Sequence, residues 1–358
     1  MSSQTGIVKD RFYLRHETSP FHPESPKRLE AIYKMLESPD MQGKFTEIKP
    51  RYATAEEISA IHKPGYIETV KKTAEMPHSY LDPDTETSPE SYRAAELAAG
   101  GFCSAIDSIV NNEVRNAFAL IRPPGHHAES DQAAGFCLFN NVAIGAMHAI
   151  RSHGMKRILI VDWDLHHGNG TQHSFYEDNR IVYFSTHQYP FYPGTGSIHE
   201  IGRGVGLGYN INVPLPQGPG DAEFVRIYKK LLEPIALEFN PDMILVSAGF
   251  DIYYQDPLGG MKVTPSGFAD LIRVLLNIAD ARCGGKLAIC LEGGYSLRGL
   301  TDSVKSVLLE MHDDTHQSEA DISTLASSAD PSVDRIIEKV VEQVKPFWKS
   351  LQKNSKRQ

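Results

Sequence analysis

The chain has 358 residues, 36 basic against 45 acidic, and a formal net charge of −9. That balance, with no cluster of Lys and Arg before the last few residues, argues against electrostatic binding of nucleic acid. The opening MSSQTGIVKDRFYLRH lacks an apolar core of signal-peptide length, and no run of about 18 uncharged apolar residues occurs, so a cytoplasmic protein without membrane contact is expected. No Pro/Ser-rich linker interrupts residues 1–310, which read as one domain.

In chain order, Ser25-Pro26 opens a predicted helix reaching about residue 37. Ser88-Pro89-Glu90 offers an N-cap with proline at the first helical position and opens a second, to about residue 110. Residues 117–121 form the first continuous apolar run of strand length. Helix 141–153, closing at Gly154, leads to further apolar runs at 157–163 and 181–185. The stretch 188–208 is rich in Gly, Pro and Tyr without a period and reads as a long ordered loop. Its GRGVGLG looks like a dinucleotide fingerprint, but it precedes the strand-like YNINV instead of opening a helix, and is discarded. A strand at 243–248, a helix at 265–282 closed by Gly284-Gly285, and a strand at 287–291 complete the pattern.

Strands without polar alternation suit a sheet covered on both faces, and their alternation with helices implies right-handed βαβ crossovers. The expected fold is a single-domain α/β architecture, a central mostly parallel sheet flanked by helices. Residues 311–330 read as a polar connector. Residues 331–358 carry Val333, Ile336, Ile337, Val340, Val341 and Val344 at helical spacing, a helix expected to pack on the domain. Cys103, Cys137, Cys283 and Cys290 include no CxxC pair and are expected buried and reduced.

Five chemically loaded segments each fall just past an expected strand: RPPGHHA (122–128), DWDLHHGNG (162–170), STHQ (185–188), GFD (249–251) and EGGY (292–295). Carboxyl ends of parallel strands share one edge, so these segments should form one site. Asp162, Asp164, His166 and Asp251 are candidate metal ligands. Asp164 and His166 sit at the frayed end of their strand and Asp251 completes a three-ligand set with an open coordination position, a catalytic pattern. Asp162, one step deeper, suits the carboxylate behind a histidine. An isolated Asp at such a place more often closes a turn; the convergence favours a metal. His126 and His127 follow Pro-Pro-Gly, where the chain turns and both rings can face one cavity. Asp162 behind His126 should raise its pKa, and neutral Asn169 behind His127 should raise it less, leaving one ring able to accept a proton near neutral pH. Tyr295, after two glycines at a strand end, is placed to donate to an oxyanion.

Together RPPGHHA, GFCLFNN, DWDLHHGNGTQ, PGTG, SAGFD, DPLGGM and LEGGY, over roughly residues 20–310, resemble the zinc-dependent histone deacetylase family. That family includes bacterial acetylpolyamine amidohydrolases and shares its fold with arginase. The resemblance implies a catalytic domain at 1–310 and one Zn2+ held by Asp164, His166 and Asp251. His127 would be general base and then acid, His126 an electrostatic and hydrogen-bonding partner, and Tyr295 the group polarising the amide carbonyl. The acyl channel would be lined by Gly135, Phe136, Tyr192 and Leu258, with Asp82 the rim aspartate and Arg28 near the product exit. Potassium would be held by Asp162, Asp164, His166, Ser185 and Thr186 at one site and Phe175, Asp178, Ile181 and Tyr209 at another.

The implied reaction is removal of acetyl, or a longer acyl group, from a lysine side chain by metal-activated water, on an acyl-lysine peptide or protein. An acetylpolyamine or other small acylated amine is the alternative. Asn169 stands where class I members place an aspartate, and the DWDLHHGNGTQ wording is class II-like. Leu258 stands where polyamine-selective class II members carry a glutamate, a departure that lowers the polyamine reading. An arginase-like ureohydrolase with two metals would need carboxylates where this chain has Gly168 and Tyr253. A non-catalytic acyl-lysine reader would be signalled by loss of Tyr295 or a histidine, and all are present.

Overall fold

The computed structural model describes residues 4–315 and 317–352; the last residues of the expected C-terminal segment, 353–358, lie outside the described residues. Ten strands follow the chain: β1 (Thr5–Val8), β2 (Thr46–Ile48), β3 (Ser79–Asp82), β4 (Thr85–Thr87), β5 (Asn116–Ala119), β6 (Ile158–Asp162), β7 (Ile181–Gln188), β8 (Asn210–Leu215), β9 (Met243–Ala248) and β10 (Leu287–Leu291). Eight build one sheet in the order β2-β1-β5-β10-β9-β6-β7-β8, and β3 pairs β4 in a separate antiparallel hairpin. Every pairing described in the large sheet is parallel. Its central strands are buried along their whole length. That is the environment expected of continuous apolar runs with helices over both faces.

The crossover from β5 to β6 passes the two positions that β9 and β10 later fill. The loops after these four central strands therefore meet over one edge, where ligand sites of open parallel sheets lie. In register, Asp162 at the end of β6 stands beside Ser247 of β9 and Ser185 of β7.

Helix ends follow local chemistry. Asn140 caps Asn141–His153 by accepting the Ala143 N–H, and Gly154 ends it at φ 67°. Thr264 caps Pro265–Cys283 in the same way, and Gly284 ends it in the left-handed region. The helix expected to open at Ser88-Pro89-Glu90 starts instead at Ser91 and runs to Val110. The Ser91 N–H donates to Ser88 O and the Ser88 N–H to Ser91 Oγ, closing a turn just ahead of the helix.

Segment STHQ lies inside β7, not past it. The strand runs on to Gln188 because β8 pairs with residues 183–188. The expected polar connector also holds a helix, Glu319–Ser327, with Ile322 and Ala326 buried and Ser318 as its cap. The C-terminal helix Ser332–Val344 buries Val333, Ile337, Val340 and Val344 in the main core, with Ile336 and Val341 partly buried against it. Trp348 anchors the segment by donating Nε1–H to Gly208 O at 2.9 Å. The stretch 189–208 contains a single 3-10 turn, Gly204–Gly206, and no dinucleotide-binding helix. All four cysteines are free and buried, and no described helix is long and apolar enough to cross a membrane.

Candidate active site

The turn after β5 is held from below by Glu292, whose Oε2 accepts the N–H groups of Gly125 (2.7 Å) and His126 (3.2 Å). Both imidazoles consequently face one cavity, their ring centroids 4.0 Å apart. His126 Nδ1 lies 3.1 Å from Asp162 Oδ2. Burial alone lowers the His126 pKa, but Asp164 and Asp162 outweigh it and raise it to about 10. His127 Nδ1 lies 2.7 Å from Asn169 Oδ1, while Asn169 Nδ2 donates to Glu129 at 2.6 Å. The Glu129 carboxylate fixes the amide orientation, so the Asn169 oxygen must accept from His127, which puts the proton on Nδ1 and leaves Nε2 as an acceptor. Burial, then the charges of His126 and His166, hold the His127 pKa well below the usual imidazole value. The rise at His126 follows the direction read from Asp162, but the rise expected at His127 does not occur: burial and the two neighbouring imidazoles outweigh the hydrogen bond to Asn169.

Beside them Asp164, His166 and Asp251 bring one ligand atom each within 4.8 Å of one another. His166 Nδ1 is 3.1 Å from Asp164 Oδ1 and from Asp251 Oδ2. The other oxygen of each carboxylate is occupied: Asp164 Oδ2 accepts the Gly293 N–H and Asp251 Oδ1 the Leu165 N–H. Both carboxylates are buried and, among the described residues, pair with no Lys or Arg, only with histidines. Burial and the neighbouring Asp164 push the Asp251 pKa up to about 7. His166 is pulled down by burial but raised to about 9 by the same two carboxylates. Buried anionic charge converging on one nitrogen, without a guanidinium or ammonium, is the donor set that a divalent cation fits. Asp162 is not in this triangle; its Oδ1 accepts the Asp164 N–H and its Oδ2 is shared by His126 and the Tyr183 hydroxyl.

A cavity of about 90 Å3 opens onto these groups. Gly135, Phe136, Tyr192, Leu258 and Tyr295 line it together with both histidines. Gly135 has φ +54°, and a Cβ there would stand 2.3 Å from His127 Cδ2, so only glycine lets the wall approach the ring. Tyr295 meets Phe136 edge-on at 6.0 Å, and the Arg28 guanidinium lies 5.2 Å from the Tyr295 ring centre. Arg28 is behind the cavity, not on its wall, donating to the carbonyls of Gly294 and Glu292 and to Glu24.

The expected rim aspartate requires correction. Asp84 lines the cavity and Asp82 does not; Asp82 Oδ1 closes the turn by accepting the Asp84 N–H at 3.0 Å. The potassium sets are divided. Asp162, Asp164, His166, Ser185 and Thr186 share the site edge, with Ser185 Oγ bonded to His187 Nδ1. Ile181 begins β7 at its far end, where Phe175 O and Tyr209 O accept the N–H groups of Asp178 and Tyr183 and the Asp178 carboxylate binds Arg180. Gly168 and Tyr253 supply no carboxylate for a second ion; the Tyr253 ring is buried in the core.

Sequence reading missed the supports of the site: Glu292 under the histidine turn, Tyr183 on Asp162, and Asp256, which accepts the Leu258, Tyr295 and Ser296 N–H groups. Asp two residues before Leu258 in DPLGG is a recognisable Asx-turn signal; the other two contacts are long-range. A second cluster with ligand-like spacing, Asp107, His148 and His153, lies between helices Ser91–Val110 and Asn141–His153.

The histone deacetylase domain matches residues 22–311. A probable deacetylase of Archaeoglobus fulgidus is 40% identical over 297 residues, covering 82% of this chain and 82% of that protein. Histone deacetylase 15 of Arabidopsis thaliana is 39% identical over 360 residues, 98% of this chain and 64% of that one. Polyamine deacetylase HDAC10 of Homo sapiens is 40% identical over 293 residues, 78% of this chain and 43% of that one. The chain thus spans less than two thirds of these plant and human relatives. The crystal structure of the HDA15 HD domain matches with TM-score 0.92 and 36% identity, covering 100% of this chain and 98% of that chain. The motifs, the three-ligand set and these likenesses agree: the chain belongs to the histone deacetylase family, hydrolases acting on acetylated amides.

Proposed function

We propose that this deacetylase removes acetyl or a longer acyl group from lysine side chains of a peptide or protein in the cytoplasm. The observation that carries the reading is the convergence on one cavity of a base with a free Nε2, a three-ligand cation site and a tyrosine. Asp164, His166 and Asp251 would hold the zinc ion, which would supply Lewis acidity toward the amide carbonyl and make a nearby water easier to deprotonate. His127 takes the proton of the attacking water on Nε2 and returns it to the departing amine. His126, cationic beside Asp162, adds positive charge at the reacting edge, and the Tyr295 hydroxyl donates to the carbonyl oxygen as charge develops there. Phe136, Tyr192 and Leu258 give the lysine methylene stem an apolar wall. Potassium held at the Asp162–Ser185 edge would steady the loop that carries the metal ligands.

A second reading, deacetylation of a polyamine or other small amine, is favoured by Asp84 on the cavity wall and by the likeness to a polyamine deacetylase. Leu258 weighs against it, offering a remote ammonium neither charge nor hydrogen bond. Assay of the purified protein against acetyl-lysine peptides, longer acyl-lysine peptides and acetylspermidine decides. Acyl-lysine peptides should show the higher kcat/KM, and a preference for acetylspermidine would transfer the assignment to the second reading.

A further inference from the structure

We propose that Asp256 is a positioning residue for the reaction, a clasp that sets Tyr295 and the channel-wall residue Leu258 at a fixed distance from each other; the inference rests on Tyr295 being the group that polarises the carbonyl. Asp256 lies on the loop after β9 and Tyr295 on the loop after β10, 39 residues apart in sequence. One carboxylate ties the two loops. Its Oδ2 accepts the N–H of Tyr295 at 2.7 Å and of Ser296 at 3.0 Å, and its Oδ1 accepts the N–H of Leu258 at 3.0 Å. Asp256 is 7% exposed and forms no ion pair with Lys or Arg within salt-bridge distance among the described residues. Three backbone donors on a buried carboxylate are charge-assisted bonds, shorter and stronger than neutral ones.

The rest of the tyrosine's surroundings leaves the backbone in need of such a tie. Tyr295 follows Gly294, at φ +116°, and precedes Ser296, the cap of helix Leu297–Met311. Its ring meets Phe136 only edge-on. The hydroxyl must reach the carbonyl oxygen in the transition state, and a misplacement of about 1 Å can cost about a hundredfold in rate. Asparagine at 256 keeps the shape but offers one acceptor oxygen where two are used. It turns an amide donor toward either the Leu258 N–H or the Tyr295 and Ser296 pair, leaving a backbone N–H unsatisfied.

A support of the fold in general and a support of Tyr295 in particular differ in one measurable respect. Asp256→Asn and Tyr295→Phe are made singly and together in the zinc-loaded protein, with kcat, KM and metal content read for each. Asp256→Asn should retain the metal and lower kcat by about ten- to a hundredfold, while in the Tyr295→Phe background it lowers kcat by less than about threefold, because the hydroxyl it serves is gone. Equal factors in both backgrounds, or an unchanged kcat for Asp256→Asn alone, overturn the assignment. A Tyr295→Phe enzyme with wild-type kcat overturns the reading of Tyr295 itself and is distinguished by that single variant. Should Asp256→Asn not fold, Asp256→Glu keeps both acceptor oxygens and the Ser296 cap but displaces the carboxylate by one methylene. It should lower kcat less, and again only where the Tyr295 hydroxyl is present; a loss that persists in the Tyr295→Phe background overturns the proposal.

Discussion

Among the described residues three groups bring ligand-type atoms within the same short span, Asp164–His166–Asp251 at the sheet edge and, sharing His148, Asp107–His148–His153 and Glu57–Cys103–His148 between the helices, and only the first has the charge of a metal centre. At the sheet edge, Asp164 and Asp251 are buried, face no guanidinium, and are bonded by backbone N–H groups that leave one oxygen of each pointing at His166. Between the helices, Asp107 is 31% exposed, and His148 and His153 already stand with Nε2 at 2.6 Å from its Oδ1. Arg51 lies 3.8 Å from the same carboxylate and binds Glu57, the next acid in the cluster, at 2.6 Å. The first cluster is a pair of buried carboxylates met only by histidines; the second is a network with a fixed cation, Arg51, that ties two helices. Ligand spacing alone does not distinguish them, and the distribution of fixed cations does.

The largest effect expected separates the two clusters directly. His166→Ala or Asp251→Asn should lose the metal and lower turnover by on the order of 1000-fold or more, whereas His153→Ala should keep both; metal analysis beside a deacetylase assay reads the difference. Next, Tyr295→Phe should retain fold and metal and lose about 100- to 1000-fold in rate, the usual cost of one oxyanion donor. A variant within about twofold of wild type would remove Tyr295 from the chemistry. Leu258→Glu should move the ratio of kcat/KM for acetylspermidine over acetyl-lysine peptide upward by about ten- to a hundredfold, as a carboxylate near a cation in a partly desolvated channel would; no movement would shift selectivity to Asp84.

The smallest effect is on stability. For Asp107 burial raises the pKa, but hydrogen bonds from His148 and His153 outweigh it and hold the value below the usual one. For Glu57 burial is likewise outweighed, by Arg51. A depressed folded-state pKa contributes stability above the unfolded value of about 4 that disappears as pH falls through the folded one. The Tm should therefore decline as pH drops below about 4, and Asp107→Asn should flatten that decline in melts run without metal; an unchanged slope would show that the network carries no such stability.

The reacting groups were legible because each lies within a few residues of the end of a continuous apolar strand, a local signal. What could not be read depends on distant pairing. β7 continues through STHQ only because β8, more than twenty residues on, pairs with it. Asp84, and not Asp82, lines the cavity; the likeness of motif that pointed to Asp82 does not separate two acids two residues apart in a turn whose strands end at Asp82 and restart at Thr85. The helix at Glu319–Ser327 escaped notice because the stretch is mostly polar, with Ile322 and Ala326 buried and Leu325 partly buried against the core. Asp256 and Glu292 stand in motifs that drew attention for other residues, and apart from the local Asx turn onto Leu258 their bonds to backbone N–H groups are long-range.

The central claim, one divalent ion at Asp164, His166 and Asp251 serving amide hydrolysis, is tested most directly by titrating chelator-stripped protein with metal while following deacetylation of an acetyl-lysine peptide. Activity should return in proportion to added Zn2+ or Co2+ and saturate at about one equivalent per chain. A rise that needs two equivalents, above all of Mn2+, would contradict the account and point to a two-metal hydrolase.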